Sequence, residues 1–80
     1  MSGDELERAI DTLLAQRSEG KTICPSEAAR AVGGGDWRDL MPAAREAAGR
    51  MAERGEVIVT QKGREVEATA ARGPIRIGRP

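Results

Sequence analysis

The sequence has 80 residues with 13 basic and 13 acidic side chains, so its formal net charge is zero and its length allows one small domain, residues 1–80. With no His and a single Cys it lacks the parts for disulfide frameworks, Cys/His zinc centres and Ser-His-Asp or Cys-His catalysis, and neither an enzyme nor a bound cofactor or metal is expected. Only 18 apolar residues are larger than Ala, one of them Trp and none Phe or Tyr, so the expected core is small, with a net stability of ~3–5 kcal/mol.

In chain order, Asp4 to Arg17 sets Leu6, Ile10, Leu13 and Leu14 at helical spacing, with acids Asp4, Glu5 and Glu7 in the first turn where the helix dipole favours them. Helix one ends at Gly20. Thr22-Ile23-Cys24 reads as a short strand, and Pro25 suits the first position of helix two, with Ala28, Ala29 and Val32 on its inner face and Gly33-Gly34-Gly35 as its end. Asp36 is expected to cap a turn carrying Trp37 and Leu40. Pro42 begins or bends helix three, which runs to Arg54 and stops at Gly55, with Leu40, Ala44, Ala47, Ala48 and Met51 on one side.

The β-branched run Glu56 to Gln61, the turn Lys62-Gly63 and the return Arg64 to Glu67 predict a β-hairpin. After an alanine-rich connection, Gly73-Pro74-Ile75-Arg76-Ile77 alternates Ile with Arg, which suits an edge strand or two isoleucines docked on the core, so that the tail 68–80 belongs to the same domain.

Helix, short strand, helix, helix and hairpin in this order looks like a winged helix, an α+β fold whose third helix enters a groove and whose hairpin is the wing. The stretches Gly20 to Glu27, Trp37 to Pro42, Thr60 to Gly63 and Arg72 to Arg76 resemble, more specifically, a family of short bacterial proteins catalogued as domain of unknown function thirty-two fifty-three. That resemblance covers nearly the whole chain. It implies the winged-helix fold but carries no assigned activity, so no functional residue is transferred from it.

Other motifs have plainer explanations. Gly20-Lys21-Thr22 imitates the end of a phosphate-binding loop, but Ala15 stands where that loop needs a glycine. Cys24, ahead of a helix, reads as a small cap, since no second Cys is present to resolve an oxidised thiol. Glu65 and Glu67 share one side of a strand and read as a solvated face. Trp37, beside Leu40 and Met41, reads as the largest filler of the core and not as a stacking platform.

Charge supplies the functional expectation. Residues 1–36 hold 4 basic and 7 acidic side chains, residues 37–67 hold 6 of each, and the basic excess lies in Arg72, Arg76 and Arg79 of an acid-free tail. Arg38, Arg45 and Arg50 around helix three, with Lys62 and Arg64 at the wing tip, are the candidate phosphate contacts, and the tail arginines matter less if they lie away from the groove. The leading expectation is a nucleic-acid-binding module that docks helix three and wing on DNA. The alternative is a protein-interaction adaptor, which zero net charge, the acids among these cations and the apolar tail favour. No apolar run reaches the ~18 residues that span a bilayer, so a cytoplasmic protein without a membrane partner, monomeric or weakly dimeric, is expected.

Overall fold

The computed structural model describes residues 2–17 and 20–80. Among them three α-helices come first, α1 (Ser2–Gln16), α2 (Pro25–Gly33) and α3 (Met41–Glu53), with a 3-10 helix (Gly34–Leu40) between the last two. Strands β1 (Ile58–Gln61), β2 (Arg64–Glu65) and β3 (Arg76–Gly78) follow. The architecture is α+β, and the sheet is antiparallel in the order β2-β1-β3.

The local chemistry explains where elements begin and end. Pro25 lacks an N–H that the first helical turn would leave unpaired anyway, and the Glu27 side chain folds back to accept from the Cys24 amide at 3.0 Å. Beyond α3 the chain closes a Schellman motif: the Gly55 amide donates to the Ala52 carbonyl at 3.0 Å and the Glu56 amide to Met51 at 2.9 Å, with Gly55 at φ +77°. At the hairpin tip Lys62 and Gly63 have φ of +53° and +82°, the pair of left-handed residues of a two-residue type I′ turn.

The helices and the sheet share one core, built from Leu6, Ile10 and Leu14 of α1, Ile23, Met51, Val57, Val59, Ile75 and Ile77, with alanines on the inner faces of α2 and α3. Ala28, Ala29, Ala44, Ala47 and Ala48 are fully buried. Side chains this small let the helices approach closely, and close approach leaves no interior space for an indole. Trp37 is accordingly half-buried and packs against the margin of the core, contrary to its expected place as the main filler. The largest fully buried side chains are Leu6, Ile10, Ile23, Met51, Ile75 and Ile77.

Two further expectations need correction. The strand foreseen between the first two helices is a single bridge, Ile23 with Ile77, because Pro25 starts α2 two residues after Ile23. Asp36 caps nothing: it sits inside the 3-10 helix with non-helical φ/ψ, and Gly33 occupies the N-cap position. The Ile-Arg stretch does what was expected of it in both respects: β3 pairs with β1 through Val59 and Ile77, its other edge meets Ile23, and Ile75 and Ile77 are buried. That pairing brings Arg72 and Arg76 beside the hairpin, whereas Arg79 lies farther on and pairs with Asp11 of α1 at 3.1 Å.

Candidate functional site

Two sides of the hairpin have opposite character. On one side a groove of about 830 Å³ lies between the hairpin tip and the tail, and Lys62, Arg64, Arg72 and Arg76 line it with no carboxylate among its lining residues. The groove is held in shape by Gln61, whose side-chain amide donates to the carbonyls of Arg72 and, at 3.1 Å, Pro74. Arg76 is anchored across the strand edge, donating from Nε to Thr22 Oγ1 at 2.8 Å and from a terminal nitrogen to the Thr22 carbonyl at 2.9 Å. Among the described residues none of these four cations forms an ion pair. Glu65 is the carboxylate that the register places nearby: it and Arg76 both pair with Thr60, from opposite edges of β1.

On the other side of the hairpin a groove of about 450 Å³ runs between α3 and residues 66–69. Its floor is Gly49, Ala52, Val66 and Ala68, and its rim carries Glu46, Glu53 and Glu67 with Arg50. A helix face with this rim repels a phosphate backbone. Arg50 itself reaches away from the strand, donating from Nε to Glu7 of α1 at 2.8 Å.

The five cations singled out from the sequence therefore divide among surfaces. Lys62 and Arg64 stand in the basic groove, and Arg50 stands on the acidic one. Arg45 is half-buried and clamps the connection after the hairpin, donating to the carbonyls of Ala71 at 2.8 Å, Ala68 at 3.3 Å and Gly73. Arg38 lies on the Trp37 ring, 4.6 Å from its centroid. Arg72 and Arg76, set apart in the sequence as a tail, complete the basic groove. For Arg76 the Ile-Arg alternation gave half of the signal: once Ile75 and Ile77 are assigned to the core, Arg76 must point to the outer face of the sheet, though nothing local places it or Arg72 beside the hairpin tip.

Ion pairs elsewhere are structural. Hydrogen bonds from Arg50 and then Arg54 hold the Glu7 carboxyl below the usual carboxylate range and tie α1 to the C-terminal turn of α3. Glu56 is lowered by its hydrogen bonds from Arg54. Burial pushes Glu27 upward, but the Cys24 amide and Arg17 together outweigh it, and the carboxyl stays below its ordinary value. The Cys24 thiol completes this cap, lying beside Ser26 Oγ and 3.6 Å from a Glu27 oxygen. Among the described residues no group of acids and Cys is arranged to hold a metal ion, and no helix is long and apolar enough to cross a membrane.

Comparison with known proteins gives a family and no activity. The model of the family described as protein of unknown function DUF3253 matches residues 3–80. No curated protein matches the chain.

Proposed function

We propose that this chain, which belongs to the DUF3253 family, is a small winged-helix module that binds nucleic acid through the groove between its wing and its tail. The order of three helices followed by a hairpin supports the winged-helix reading, with α3 as its third helix and β1-β2 as the wing. The single observation that carries the binding proposal is the gathering of Lys62, Arg64, Arg72 and Arg76 in one open groove whose lining has no carboxylate. Folding brings cations from two chain segments together against their mutual repulsion, and a polyanion relieves that repulsion while releasing its own counterions. The acids on the outer face of α3 favour contact through the wing side over insertion of this helix into a duplex.

The test is a titration of duplex DNA at several salt concentrations. Four neutralised phosphates give a slope of log K against log salt of about −3.6. Arg64→Glu with Arg72→Glu, two exposed side chains outside every hydrogen bond that shapes the groove, should flatten that slope and weaken binding to all sequences. No binding at ~50 mM salt, where screening is weak, overturns the proposal.

A second reading, a protein-interaction adaptor, draws on the α3 groove: a small apolar floor rimmed by Glu46, Glu53 and Glu67 suits a cationic segment of another protein. Under that reading duplex binding is negligible and neutralising those three acids abolishes partner capture.

A further inference from the structure

The corner between α2 and α3 carries a second cationic cluster that the groove does not use. Trp37, the sole aromatic side chain, is half-buried, and the guanidinium carbons of Arg30 and Arg38 lie 4.4 and 4.6 Å from its ring centroid. Sharing one centroid, the two cations cannot be more than about 9 Å apart. The ring quadrupole offsets part of their repulsion. A stacked guanidinium still has its N–H edge available, because stacking uses the face of the plane and hydrogen bonding uses its rim. Asp36 and Asp39 lie on the same 3-10 helix, yet among the described residues neither pairs with Arg30 or Arg38.

We propose that Arg30 and Arg38, held over the Trp37 ring, form a second phosphate-contact point for the same nucleic acid that lies in the wing and tail groove. The inference rests on the nucleic-acid reading above. Two guanidiniums gathered around one ring can offer their N–H donors to one phosphate, in the charge-assisted hydrogen bonding that arginine favours. The corner is also connected to the groove through α3. Arg38 is seven residues before Arg45 in a continuous helical run, a rise of about 10–12 Å, and Arg45 bonds the carbonyl of Gly73, which lines the groove. A backbone leaving the groove along α3 therefore reaches the corner within a few phosphates, given one charge per ~3.4 Å of each strand.

The sole Trp makes the corner its own reporter. A labelled 20-base-pair duplex is titrated into the full chain while its anisotropy and the Trp37 emission are followed together. The expected result is an emission change that saturates with the same midpoint as the anisotropy. In Arg30→Gln with Arg38→Gln, checked for a folded state by circular dichroism, the salt slope should fall in magnitude by about 0.9, the share of one phosphate. Duplex binding with unchanged Trp37 emission and an unaltered slope in the variant overturns the corner contact and leaves the groove reading standing. Absence of any duplex binding overturns both. Should the double variant fail to fold, the emission of the unaltered chain alone decides. An identical emission change with inorganic phosphate at matched ionic strength also overturns the proposal, since the corner would then be a small-anion site.

Discussion

Replacing Arg45 with Met separates structural from contact roles for helix three. The guanidinium donates to three carbonyls of the connection between wing and tail, those of Ala68, Ala71 and Gly73. A hydrogen bond to a charged group contributes ~1.5–3 kcal/mol, but the Ala68 contact is long at 3.3 Å and Gly73 is exposed enough to bond water after the loss. The net cost is therefore about 2 kcal/mol, close to one full charge-assisted bond, with Met retaining most of the aliphatic packing. For a domain of this size 1 kcal/mol corresponds to ~4–8 °C, so the melting temperature should drop by about 8–16 °C. Far-UV circular dichroism gives that number, and amide exchange should show faster opening confined to residues 68–73. Arg45→Lys should be intermediate, since an ammonium cannot span three carbonyls spread over six residues. If Arg45→Met melts within about 3 °C of the parent and instead loses nucleic-acid affinity, the clamp reasoning is wrong and Arg45 is a direct contact.

Trp37→Ala should cost only ~1–2 kcal/mol, below the ~3–5 of a fully buried Trp, because the ring is half-buried; a variant that does not fold would restore Trp37 to the core. Gly78→Ala should destabilise by ~1–3 kcal/mol, since its Cβ would stand 2.9 Å from Thr22 Cγ2 and the stiff Thr22 side chain, which accepts from Arg76, has to move; the same change should weaken nucleic-acid binding, and a neutral outcome in both assays contradicts the packing. Glu7 and Glu27 have folded pKa values below their ordinary 4.5, so their contribution is fully present above about that pH and is lost as pH falls through the lower folded values. Melting temperature should thus hold from pH 7 to 5 and drop below 4.5, and Glu7→Gln and Glu27→Gln should each lower it at pH 7 while reducing the acid dependence.

How much of this was legible in the sequence depends on whether the signal was local. Turn chemistry and helix ends were: Pro25, Gly55 and the Lys62-Gly63 pair each act within a few residues of themselves, and the structure uses them as expected. The hydrophobic stripe of α1 was likewise readable from its period. The place of Trp37 was not, because size argued for burial while the alanines that exclude it belong to other segments, α2 and α3. Arg45 looked like a surface cation on the outer face of an amphipathic helix; its partners are backbone carbonyls, which no residue identity announces. The basic groove was half visible. Its wing cations stood at a turn tip, but Arg72 and Arg76 join them only through the β1-β3 register, a pairing of residues about 16–20 positions apart that leaves no local mark.

The most direct measurement is an amide chemical-shift titration of the labelled chain with a short duplex at ~50 mM salt, where electrostatic association is strongest. The account predicts shifts concentrated at residues 61–64 and 72–76, with a second cluster at residues 30 and 37–38, and little change along 46–53. Shifts centred on 46–53, or none at any residue, would contradict it.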